Sequence, residues 1–279
     1  EIPLAEIKKI ISSQPNEIFN FNKLRADIQN IENLYKDQGY FLAKVYKVNV
    51  PDQKNQVLTF FIGEGVLDEI VVTGNYGTQD YVILREMKSK TGHALKDTAI
   101  KADLRNIFNL NYFSDLAPDF IPGKQPNHYI LQIKVAEKSP SSVNFGGGYG
   151  ETSGMFLFAD VYWDNMFGTG QLVSLKGQCA RQFKTSTYQF KYHNPWMWAD
   201  RKSFTFRAWH TTGEQSYLNQ LSNISLAFRD EIRNGFDATI GIPFGDDIKT
   251  SHKIKIENIN VTEENNVYSI QSYTPAIAY

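Results

Sequence analysis

From residue 142 onward the chain alternates apolar and polar positions with a period of two, the signature of half-buried strands. Val143, Phe145, Gly147 and Tyr149 share one face of a first predicted strand, with Asn144, Gly146 and Gly148 opposite. Leu157, Ala159, Val161 and Trp163 share one face of a second, with Phe156, Phe158 and Asp160 opposite. Turns are predicted at Ser153-Gly154 and over Asn165–Gly170. The alternation continues through Val173, Leu175, Gly177 and Cys179, then Tyr188, Phe190 and Tyr192, then Ser203–His210. Phe236, Ala238, Ile240 and Ile242 mark a sixth strand, Ile248–Val261 a seventh and Val267–Tyr279 an eighth. Residues 213–232 are expected as a long loop that partly extends its flanking strands. In the seventh strand the apolar phase changes after Ile256, with Ile259 and Val261 keeping the new phase, so a bulge is expected there. The first strand stands apart, because Gly146-Gly147-Gly148 adds backbone entropy and offers no side chain to pack.

The first half reads differently. Ala26-Asp27-Ile28-Gln29-Asn30-Ile31-Glu32-Asn33-Leu34 recurs as Ala102-Asp103-Leu104-Arg105-Asn106-Ile107-Phe108-Asn109-Leu110, and each copy then reaches an aromatic pair, Tyr40-Phe41 and Tyr112-Phe113. Such a repeat defines architecture. In the first copy Leu24, Ile28, Ile31 and Leu34 fall at helical spacing, with Asn22 as the N-cap and Gly39 as the stop. Strands over 42–50 and 57–62 follow. In the second, a strand Val66–Thr73 precedes helices Thr78–Lys88 and Lys96–Asn109 and strands near Ser114–Phe120 and Tyr129–Val135. The unit is β-α-α-β-β, and the first copy lacks its leading strand, so the chain is expected to begin inside a domain. This divides the chain into 1–65, 66–138 and a strand-rich 141–279.

Composition narrows the chemistry. A net charge of −1 gives no reason to expect a nucleic-acid partner, and one cysteine, Cys179, rules out a disulfide framework and a Cys-pair metal site. No run reaches the ~18–20 apolar residues of a transmembrane helix, but a transmembrane barrel hides its signal in ~10-residue alternating segments. The five histidines form no metal-ligand spacing, Gly150–Gly154 lacks the nucleophile-elbow spacing, and no helix follows the glycine run as a dinucleotide site would need. No catalytic residue, metal ligand or cofactor is therefore expected.

The β-α-α-β-β unit with a helix ending at Gly39-Tyr40-Phe41 resembles a POTRA domain. Repeats of this kind, then a glycine-rich strand and a strand series, resemble the outer-membrane β-barrel assembly family of the BamA type. The Asn165–Gly170 turn and the Asn194-Pro195-Trp196 strand end resemble that family's early barrel. The resemblance implies a fold of α+β POTRA repeats followed by the first eight or so strands of an antiparallel barrel of about sixteen, incomplete at both ends. It implies a bacterial outer-membrane location with the repeats in the periplasm. By strand parity Trp163, Phe167, Trp196 and Trp198 then fall at the periplasmic membrane interface, where aromatic side chains gather. A soluble β-sandwich with core tryptophans is the competing reading. For function, the resemblance implies insertion of β-barrel proteins by lateral opening. The pairing edge is Val143, Asn144, Phe145, Gly146, Gly147, Gly148 and Tyr149. The partners are unfolded outer-membrane proteins, accessory assembly lipoproteins bound by the repeats, and the lipid bilayer. A translocation pore of the same build, or a passive porin or adhesin, are the alternatives.

Overall fold

The computed structural model describes residues 2–15, 17–51, 56–150, 154–180, 185–198, 201–218, 226–245, 248–261 and 266–278. The chain divides into two compact units, Glu1–Lys138 and Ser139–Tyr279.

The first unit holds both repeats. In the first, α1 (Leu4–Ile10) and α2 (Phe21–Asp37) pack with a two-stranded sheet of β1 (Lys44–Asn49) and β2 (Thr59–Gly63). Asn20, not Asn22, caps α2: its backbone is extended just outside the helix, and its side chain accepts the Asn22 N–H at 2.8 Å. Asn22 already lies in the first turn, where its own side chain cannot serve as the cap. At the other end Gly39, at φ +90°, closes the helix. Its N–H reaches the Lys36 carbonyl, and the Tyr40 N–H reaches that of Tyr35, each at 2.9 Å, so the last carbonyls are satisfied.

The second repeat runs β3 (Val66–Thr73), α3 (Asp80–Leu84), α4 (Asp97–Asn109), β4 (Phe113–Pro122) and β5 (His128–Glu137). Its sheet order is β3-β5-β4, with β3 parallel to β5 and β4 antiparallel to it. Val82, Ile83 and Ile107 are fully buried in its core, and Leu104 packs against them. The helix α3 is shorter than the pattern predicts. Past Leu84 the Glu86 and Met87 N–H groups bond carbonyls three residues back, each at 3.1 Å, and the Lys88 and Ser89 N–H groups then bond the Asp103 carboxylate at 2.7 and 3.0 Å.

That carboxylate is a repeated device. Asp27, at the equivalent position, accepts the N–H groups of Ser12 and Ser13 at 2.6 and 3.0 Å. Both aspartates are fully buried. Asn30 and Asn106, also equivalent, donate to the carbonyls of Ile10 and Glu86. Each repeat thus ties the exit of its first helix to its second by the same two side chains, satisfying backbone groups that no helix would.

The second unit is one antiparallel sheet of eight strands in sequence order: β6 (Ser141–Gly150), β7 (Gly154–Met166), β8 (Gln171–Ala180), β9 (Thr185–Trp198), β10 (Lys202–Leu218), β11 (Leu226–Phe244), β12 (Ile248–Val261) and β13 (Asn266–Ala278). Much of the expected loop over 213–232 is strand: β10 and β11 stay paired up to Leu218↔Leu226. The expected bulge after Ile256 is absent. The β12 strand pairs without a register shift on both sides. Ile254 is exposed on one face, while Glu257, Ile259 and Val261 are buried on the other. The apolar phase changes because Ile259 and Val261 are buried on the face opposite Ile254, not because the strand gains a residue. The Ser153 half of the first predicted turn lies outside the described residues. The second turn is present, with Asn165, Phe167, Gly168 and Gly170 all at positive φ.

Candidate strand-pairing edge

Strand β6 ends the sheet. It pairs in register with β7 from Ser141↔Trp163 to Gly150↔Gly154, and its other side has no strand among the described residues. Its side chains are exposed along the whole strand apart from Gly146 and Gly150, with Phe145 at 83% and Tyr149 at 76%. An edge presents unpaired backbone N–H and C=O groups, and proteins normally blunt it with charge or proline. The edge strand β4 of the second repeat is blunted in this way, carrying Pro118, Pro122, Asp115 and Asp119. Lys134 bonds Asp119 at 2.8 Å and holds its carboxyl below the usual carboxylate range. Strand β6 contains neither a proline nor a charge.

The glycines are not empty positions. A Cβ on Gly148 would lie 2.7 Å from the Phe156 ring, and one on Gly146 would lie 3.0 Å from the Phe158 ring. These rings, from the directly paired residues of β7, occupy the space that side chains on β6 would take. Aromatic cover of a strand glycine is a known way to hold such a strand. At Gly147 a Cβ would meet both the Leu157 side chain at 2.8 Å and backbone, the Phe156 carbonyl oxygen at 2.9 Å. The run therefore packs under aromatic rings, which the sequence reading of a contact-poor strand did not anticipate.

Register places Val143, Val161, Leu175, Phe190, Phe236 and Ile256 on one face of the sheet and Asp160, Lys176, Gln189, Trp209 and Glu257 on the other. Leu157, Val161, Leu175, Phe236 and Ile240 are exposed on the apolar face. The polar face carries ion pairs. Arg207 grips Asp237 through Nε at 3.0 Å and Nη2 at 2.7 Å, and Lys253 reaches the same carboxylate at 3.3 Å. Lys255 bonds Glu257 at 2.8 Å, and the Trp209 indole donates to it at 3.1 Å. A sheet with an exposed apolar face and a charged opposite face inverts the soluble sandwich pattern. Sequence reading did not find this network. Its one legible signal was charge recurring at every second position of adjacent strands.

Trp163, Phe167, Trp196 and Trp198 gather at the end of the sheet where β6 begins. Trp163 and Phe167 sit 5.4 Å apart between ring centroids, with Phe167 in the β7–β8 turn. Trp198 meets Phe204 edge-on at 6.2 Å, and the Trp196 N–H donates to Asn194 Oδ1 at 2.9 Å. Among the described residues no group of three or more His, Cys, Asp or Glu side chains could hold a metal ion.

Comparison with known proteins fits this build. The POTRA model (surface antigen variable number repeat) matches residues 1–65 and 66–138, and the Omp85 superfamily domain matches residues 165–276. The chain belongs to the Omp85 superfamily, as a BamA-type member. It is 24% identical over 212 residues to outer membrane protein assembly factor BamA of Neisseria meningitidis, covering 74% of this chain and 26% of that protein. The crystal structure of Haemophilus ducreyi BamA lacking POTRA domains 1–3 shares its fold at a TM-score of 0.62 and 19% identity, over 98% of this chain and 55% of that one. Escherichia coli CdiB shares it at a TM-score of 0.58 and 13% identity, over 99% and 53%. The chain spans about a quarter of the length of the curated relatives. As an Omp85 protein it resides in the outer membrane with its POTRA repeats in the periplasm, and its apolar sheet face is the one suited to lipid.

Proposed function

We propose that this chain is the part of an outer-membrane assembly factor that receives and templates incoming β-barrel proteins, with β6 as the pairing edge. Two POTRA domains, 1–65 and 66–138, would precede a barrel segment over 141–279. The observation that carries the reading is an edge strand, Val143 to Tyr149, left without charge or proline while β4 in the same chain has both. A substrate strand would add to β6 through main-chain hydrogen bonds, the physics of β-augmentation. Lateral opening beside β6 would let that strand pass into the bilayer, and a barrel must satisfy its edges there in any case. The repeats would receive unfolded outer-membrane proteins and accessory lipoproteins. Trp163, Phe167, Trp196 and Trp198 would anchor the sheet at the periplasmic face of the bilayer. This role needs only pairing and packing chemistry. The fold alone suits an export pore equally well, and similarity to proteins named as assembly factors favours insertion.

A photo-crosslinker replacing Phe145, in the full-length protein in cells making outer-membrane proteins, tests the reading. Capture of nascent barrel strands is expected. A crosslinker that reacts only with the protein itself, in cells whose outer-membrane assembly is active, contradicts it.

A further inference from the structure

On the polar face, Lys191 stands directly opposite Arg207 in the β9–β10 pair. Like charges directly opposite on a sheet repel and destabilise it. Arg207 is answered by Asp237, its partner on the other side, which Lys253 shares. Lys191 is half-buried, and among the described residues no carboxylate lies within ion-pair distance of it. A cavity of about 320 Å³ opens on this face, lined by Arg207, the register partner of Lys191, by Lys253 and Lys255, and by the hydrogen-bonding side chains of Thr187, Gln189 and Thr211. Three cations share two carboxylates there, Asp237 and Glu257, and Lys191 adds a fourth cation in register with Arg207. Among the described residues the site is thus short of negative charge and supplied with donors.

We infer that this lumen-facing patch is a docking site for an extended acidic protein segment, one of whose carboxylates bridges Lys191 and Arg207. A lipid headgroup does not reach it, because the patch lies on the face opposite the apolar one. A carboxylate brought by protein would relieve the like-charge pair and gain charge-assisted hydrogen bonds from a guanidinium whose geometry matches it. The threonine and glutamine side chains would serve the polar groups of the same extended segment. The inference rests on the barrel reading and is independent of the role given to β6.

The test is binding to the full-length protein in lipid nanodiscs, read by fluorescence anisotropy of a labelled nonapeptide alternating Glu and Thr, with no insertion step involved. Binding that weakens with salt is expected, with Lys191→Gln weakening it about tenfold, the scale of one charge-assisted contact, and Lys191→Arg retaining it. Without peptide, Lys191→Gln should raise the Tm by relieving repulsion, whereas a merely structural lysine would lower it. Undiminished binding by Lys191→Gln, equal binding of the Gln-for-Glu peptide, displacement by inorganic phosphate at the peptide's own concentration, or a lowered Tm would each overturn the inference. Each would leave the β6 crosslinking result untouched.

Discussion

The first and later strands of the sheet are held by different physics. Among the described residues strand β6 has one neighbour, which it meets through aromatic rings laid over glycines, and it makes no ion pair along its length. Strand β11 has neighbours on both sides, and its buried Asp237 is clamped by Arg207 from one and Lys253 from the other. The rings contribute packing that another apolar surface could replace. A bidentate ion pair at fixed register cannot slide by one residue without leaving a buried charge alone. On the proposed reading β6 is the strand whose pairing exchanges, and β10–β12 form a fixed wall.

The largest effect should come from breaking the wall. Asp237→Ala strips Arg207 and Lys253 of their shared partner and should cost about 3–5 kcal/mol, seen as a lowered urea midpoint for the folded barrel. If it costs no more than a surface change, the wall is not fixed by its charges and the contrast fails. Next is Gly147→Ala, where a backbone oxygen blocks the new methyl. It should cost about 1–3 kcal/mol, as overpacking does, and the loss should appear as faster exchange confined to β6 and β7. Smaller still is Gly146→Ala, which meets only the edge of the Phe158 ring. A cost of about 1 kcal/mol or less is expected, together with slower substrate insertion. An equal cost at Gly146 and Gly147 would mean that the run is constrained by strand curvature rather than by what lies over each residue.

Much of this was legible in the sequence for a physical reason. Period-two alternation survives in a membrane sheet because each face meets a different solvent, so all eight strands were visible as patterns. The POTRA repeat was visible as repeated residues, and the buried Ile31 and Ile107 followed from helical spacing. What stayed hidden depended on partners distant in sequence. Asp27 and Asp103 read as polar helix positions, yet both are fully buried because each gathers two backbone N–H groups from the loop before it. Their recurrence at one place in the repeat was the available signal. The extended β10–β11 hairpin carries polar residues at its far end, which break the alternation and so read as loop. The edge role of β6 was inferred from its first place in the strand series, its glycine run and the absence of a catalytic constellation elsewhere. The rings of Phe156 and Phe158 over them could not be read without register, since a slip of one residue would have put both on the opposite face.

Hydrogen exchange on the full-length protein in nanodiscs, with and without an unfolded outer-membrane protein added, tests the central claim most directly. Amides of residues 143–149 should exchange quickly alone and become protected when substrate is added, while those of β11 stay protected throughout. Strand β6 amides as slow as those of β11 before substrate, or unchanged after it, would contradict the account.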